Sequence, residues 1–181
     1  MPSSHDYIKD KRNKNIQIFI NDKFYTRDNA KISVFDSGFL LGDGVWSGIR
    51  YHNKKFLFLK DHLDRLFDDA KKISMTIHLT KKQISKILHD TIKINKMQTD
   101  VHIRIVVSRG IKSTPYQDPT FTISNPTIVV IPEYKQPQES IYKKGLILKT
   151  VKTIRGPHNV QDPRINSLSK LNCILACIEA K

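Results

Sequence analysis

Two cysteines in 181 residues, one tryptophan and no long apolar run set the first limits on this chain. Cys173 and Cys177 lie four apart on an expected helix, which holds their Cα atoms close but directs the side chains poorly for a disulfide. No further ligands accompany them at metal spacing, so they read as small buried apolar residues and no metal is expected. No apolar stretch has the length of a membrane-spanning helix, and the polar start Met1-Pro2-Ser3-Ser4-His5-Asp6 does not resemble a signal peptide. A cytoplasmic protein without a membrane partner is the expectation. Acidic residues are scarce as well, 17 against 31 Lys and Arg, giving a formal charge of +14. Such an excess raises the question of nucleic acid. The basic residues are scattered, however, and neither an RNA-binding aromatic signature nor zinc-finger spacing nor a long basic helix goes with them. A solvated surface on a Lys-, Asn- and Ile-rich chain accounts for the charge, and an electronegative substrate or cofactor is compatible with it.

With 39% hydrophobic residues the chain can bury a core, and its length suits one domain, or one complete domain and part of a second. Ile16, Ile18 and Ile20 alternate along a strand, and Asn21-Asp22 supplies the turn into Phe24-Tyr25-Thr26. Further strands are expected over 31–35, 45–51, 56–59, 101–107, 127–131 (ended by Pro132) and 146–151, with a loop at Asp36-Ser37-Gly38. Leu63, Leu66, Phe67, Ala70 and Ile73 repeat at helical spacing behind Asp61 as N-cap, and Thr80 with Gln83 forms a capping box for a second helix. The stretch from Gly110 to Pro126 lacks periodicity and has the length of a functional loop. Strands segregated from helices argue an α+β fold with an antiparallel or mixed sheet. The expected division is a flexible polar N-terminus over 1–15, a two-layer domain with two helices over 16–133, a linker over 134–145, and the start of a second, incomplete α/β domain over 146–181.

Three motifs stand out, each weak alone. Gly42-Asp43-Gly44 lacks phosphate-loop spacing and reads as a tight turn needing positive φ. Arg65 flanks the apolar stripe of the first long helix, either as a local ion-pair partner or as a fixed guanidinium for a phosphate. Arg104 interrupts an apolar strand, where a charge requires an anion, a pocket or a solvent-facing side.

The run from Asp36 to Arg50, Asp-Ser-Gly-Phe-Leu-Leu-Gly-Asp-Gly-Val-Trp-Ser-Gly-Ile-Arg, followed by His62-Leu63-Asp64-Arg65-Leu66, resembles the N-terminal signature of class IV (fold-type IV) aminotransferases. Ser108-Arg109-Gly110 and Ile178-Glu179-Ala180 add to the likeness, which runs from about Ile16 to Lys181. The resemblance implies pyridoxal 5'-phosphate (PLP) as cofactor, a small-molecule amino acid and a 2-oxo acid as substrates, and a homodimer. It implies that Arg65 holds the cofactor phosphate, that Arg104 meets a substrate carboxylate as in branched-chain enzymes, and that Phe39 and Trp46 line the substrate pocket. Thr114 and Tyr116 stand where D-amino-acid enzymes of the family carry an arginine–histidine pair, which favours an L-amino acid, branched-chain or related. A lyase on the same scaffold, as in aminodeoxychorismate lyase, is the nearest enzyme alternative.

Asn-Ser-Leu-Ser-Lys at 166–170 falls where the family places its Schiff-base lysine. Anchored on Ile178-Glu179-Ala180, Asn166 takes the lysine's position and Lys170 that of a tyrosine. Asn has no basic amine, and PLP transamination requires one. Four-residue spacing puts Lys170 on the same face of an expected buried helix as position 166, so Lys170 is the candidate catalytic lysine. A non-catalytic homologue lacking that lysine is the rival. The chain ends with the helical pattern still running, and a truncated, poorly active fragment is the expectation.

Overall fold

In the computed structural model of the chain, residues 10–136 and 138–181 are described. Of the N-terminus expected to be flexible over 1–15, residues 1–9 lie outside the described residues. Lys11–Asn15 forms a 3-10 turn capped by Asp10, and buried Asn13 bonds both backbone groups of Tyr134, at 2.9 and 2.8 Å. This stretch is therefore anchored, because the Asn13 amide supplies the donor and acceptor that a strand neighbour would.

The strands β1 (Gln17–Ile20) and β2 (Lys23–Thr26) form the expected hairpin around Asn21, which adopts φ 56°. No strand forms over 31–35. Instead, Asp36 accepts a hydrogen bond from the Gly38 N–H and caps the short helix α1 (Ser37–Leu41), where a loop was expected. Gly42 closes α1 in the left-handed region at φ 66°, bearing out the turn. Next come β3 (Gly44–His52), β4 (Lys55–Phe56, shorter than expected), α2 (Leu59–Lys72) and α3 (Lys81–Ile94). The N-cap of α2 is Phe58 at φ 52°, not Asp61, which lies in the first turn. Thr80 and Gln83 make the full capping box.

β5 (Val101–Ser108) and β6 (Thr127–Tyr134) complete a six-stranded sheet in the order β2-β1-β6-β5-β3-β4, antiparallel throughout. Pro132 does not end β6. The β1–β6 ladder reaches only Val129 and Val130, and Gln17 turns its backbone N–H and C=O to the Asn95 side chain instead. No ladder bond to β1 is thus required of Pro132. One face of the sheet, with Val45, Ile49, Ile103, Ile105, Ile128 and Val130, packs against Leu63, Leu66 and Ala70 of α2 and Ile84, Leu88 and Ile92 of α3. This is the two-layer α+β architecture expected.

Beyond β6 lie α4 (Glu139–Lys144) and α5 (Leu171–Ala180). The strand expected over 146–151 is absent: Ile147 and Leu148 are 71% and 88% exposed, and no strand among the described residues pairs with them. The following residues are held by side chains of α5, through Glu179 to the backbone N–H groups of Lys152 and Thr153, and Asn172 to the carbonyl of Ile154. No described helix is long and apolar enough to cross a membrane.

Candidate active site

β3 alternates its side chains between two environments. Ser47 is fully buried beneath α2, and its hydroxyl lies 3.2 Å from both Arg65 Nη2 and His62 Nδ1. Burial, and secondarily the Arg65 charge, pushes the His62 imidazole below its ordinary value, so the ring is neutral beside the guanidinium. Among the described residues no carboxylate ion-pairs with Arg65, so its charge is available to an anion.

Trp46, one residue earlier, faces the other side of the sheet. The Arg104 guanidinium stacks over its ring at 4.1 Å, and the Lys170 ammonium lies 5.7 Å from the ring centre. Arg104 is exposed on the outer face, which resolves its position in an apolar strand: inward neighbours Ile103 and Ile105 are buried while Arg104 points away from the core. The Trp46 indole N–H is buried and has no hydrogen-bond acceptor. Two cations so near one ring make a locally positive environment that suits an anionic group.

The segment 166–170 joins the two environments along the edge of β3. The backbone N–H of Trp46 donates to the Asn166 carbonyl and that of Leu168 to the Gly44 carbonyl, both at 2.9 Å, and Ser167 bridges Val45. On the same edge β4 pairs only with Tyr51 and His52, so residues 47–49 lie in a gap between two partners. Glycines make the approach possible. A Cβ on Gly44 would lie 2.5 Å from the Val107 carbonyl and 2.7 Å from Leu168 Cδ1, and one on Gly42 would lie 3.1 Å from Ser169 Cα.

This placement corrects the helical argument for Lys170. Asn166 lies in an extended segment outside α5, and Lys170 is the residue that caps the helix, so the two do not share a helix face. The helix itself is not buried. Leu171, Ile174, Leu175 and Ile178 are about half exposed or more, at 66%, 52%, 48% and 63%, and Cys173 and Cys177 are exposed free thiols. Spacing predicts an apolar stripe correctly, yet no layer of the described residues covers it. Lys170 is half-buried and borders a cavity of about 180 Å³ with Arg155, Ser169 and Cys173. Small-molecule pockets usually exceed ~300 Å³, so this cavity is smaller than a usual ligand pocket. Phe39 lies on α1 and is 66% exposed. Thr114 and Tyr116 lie in the loop expected over 110–126, which Lys112 pins from within: it is 1% exposed, and its ammonium donates to the Asp118 carbonyl.

Two partnerships at the site went unread in the sequence. Asp36 Oδ2 accepts the buried Ser108 hydroxyl at 2.7 Å, and Arg109 forks onto Asp43. Their signal was the acidic residue beside each glycine turn.

The sequence profile of class IV aminotransferases matches residues 44–181. A provisionally named branched-chain-amino-acid aminotransferase of Methanocaldococcus jannaschii is 38% identical over 165 residues, 91% of this chain and 56% of that protein. Branched-chain-amino-acid aminotransferase-like protein 2 of Arabidopsis thaliana is 36% identical over 93% of this chain and 30% of its own length. Among solved structures, a T.th. branched-chain amino acid aminotransferase with pyridoxamine 5'-phosphate superimposes with a TM-score of 0.81 at 25% identity, covering 92% of this chain and 55% of that one. The chain thus spans about half or less of the length of these relatives.

Proposed function

This chain belongs to the class IV aminotransferase family, and on that footing we propose that it serves a PLP-dependent transamination between an amino acid, branched-chain or a related L-amino acid, and a 2-oxo acid. The observation that carries the reading is the gathering of the Arg104 and Lys170 cations at the Trp46 ring, 4.1 and 5.7 Å from its centre. The residues present suit the cofactor's charge: Arg65, held by the Ser47 hydroxyl and in no ion pair among the described residues, offers its guanidinium to the phosphate. When bound, PLP supplies the electron-withdrawing ring that makes the substrate Cα proton removable. Lys170 is the amine that would hold the cofactor and would take up the substrate Cα proton. Arg104 orients a substrate carboxylate, and Trp46 and Phe39 line the substrate side. A homodimer belongs to the same reading and rests on the family resemblance; a cytoplasmic location and a domain division at 134–145 join it from the polar start and the linker composition of the sequence.

Reduction with borohydride in the presence of PLP, followed by peptide mapping, tests it. A stoichiometric adduct at Lys170 that survives Asn166→Ala and vanishes in Lys170→Ala is the expected result. Failure of the chain to take up PLP would instead favour a non-catalytic homologue, the reading that Asn166 at the family's lysine position supports.

A further inference from the structure

Asp69 lies on α2, 1% exposed, and is not part of the machinery described so far. A carboxylate at that depth is costly unless hydrogen bonds compensate it. Its Oδ2 accepts one bond, from the backbone N–H of Asn166 at 3.1 Å. Its Oδ1 accepts none, and its ion-pair neighbour, Lys72 Nζ, is 3.5 Å away on a half-exposed side chain. The one hydrogen bond of this buried charge therefore crosses 97 positions of sequence to reach the site segment.

We propose that Asp69 is a positioning residue that latches the segment 166–170 against β3 and so sets where Lys170 begins. The Asn166 residue is gripped from two elements, its N–H by Asp69 on α2 and its carbonyl by the Trp46 backbone N–H on β3. Two residues on, Leu168 bonds Gly44 and packs where Gly38 and Gly44 leave room, Ser169 lies on Gly42, and Lys170 arrives 5.7 Å from the Trp46 ring. Within α2 the carboxyl meets only the 3.5 Å ion pair to Lys72, and its one hydrogen bond goes to the segment 166–170. A charged acceptor makes the stronger bond to an N–H. The importance of the latch for chemistry rests on Lys170 being the amine, but the latch itself does not.

Hydrogen exchange of single amides, with the emission of Trp46 as a second readout, tests the latch on the chain without cofactor. Trp46 is the one tryptophan, so its emission reports this site alone. In Asp69→Ala the Asn166 amide is expected to exchange about tenfold faster or more, and Trp46 emission to shift, while amides of the β5–β6 ladder keep their rates. Asp69→Leu, which fills the space without a charge to bury, gives the same result and serves if the alanine variant does not fold. Asp69→Asn keeps an acceptor and holds the rate within about threefold of the original. An unchanged Asn166 amide in the Ala and Leu variants overturns the proposal, as does an acceleration shared equally by the β5–β6 ladder. A missing adduct at Lys170 counts against the amine alone and leaves these exchange rates to decide the latch.

Discussion

Arg109, just beyond the end of β5, grips Asp43 in a two-pronged ion pair, Nε to Oδ2 at 2.6 Å and Nη2 to Oδ1 at 3.0 Å. Its remaining donors reach the carbonyls of Ile73 and Ser74 where α2 ends. One side chain thus ties the glycine turn before β3 to the helix carrying Arg65. Arg109→Ala leaves a half-buried carboxylate and two carbonyls unpaired, and is expected to cost about 2–4 kcal/mol of stability in urea denaturation. Arg109→Lys keeps the charge without the fork and falls between the two.

The close approach of residues 168–169 makes substitution of the glycines unequal. Gly44→Ala, whose Cβ would meet a backbone carbonyl at 2.5 Å, is expected to destabilise by about 1–3 kcal/mol. Gly42→Ala adds strain at φ +66° and should cost about 1–2 kcal/mol. Gly156→Ala, with nothing nearer than 3.7 Å, should lie within about 0.5 kcal/mol of the original. Thermal unfolding of the three variants checks the order.

His62 gives stability a pH dependence of definite sign. Burial and Arg65 lower its folded value below the ordinary 6.5. The unfolded chain binds the proton more readily, so this contribution is fully present above the unfolded value and is lost as pH falls through the folded one. Urea midpoints should decline on acidification below about pH 6.5, and His62→Gln should flatten that part of the profile. An NMR titration of the ring placing it above 6.5 would contradict the assignment.

Arg65→Gln separates phosphate binding from the rest of the site. The variant is expected to lose about tenfold or more in affinity for PLP while leaving the weaker affinity for pyridoxal unchanged. An absorbance titration with each compound reads the difference. Equal losses for both would place Arg65 outside the phosphate site.

Local chemistry made several parts of this fold legible. The Asn21-Asp22 hairpin and the Thr80–Gln83 box each depend on residues within a few positions of one another, and each formed as expected. The expected strand over 146–151 and the expected buried face of α5 failed for a common reason: both expectations concern which neighbour covers an apolar segment, and periodicity carries no information about the neighbour. Asp61 lost the N-cap of α2 because Phe58 turns left-handed and starts the helix earlier, a backbone choice the pattern did not signal.

The sequence by itself determined the family, through the run from Asp36 to Arg50 with His62-Leu63-Asp64-Arg65-Leu66, and it determined the sheet-and-helix layering through alternation and helical spacing. Tertiary structure decided the arrangement at 166–170. Four-residue spacing placed Asn166 and Lys170 on one helix face, but the segment is extended, bonded at Asn166 to Asp69 and Trp46 and reaching Lys170 only at the helix cap. Those bonds span about a hundred positions of chain, and contacts of that range depend on how α2 and β3 pack together, which no local pattern encodes.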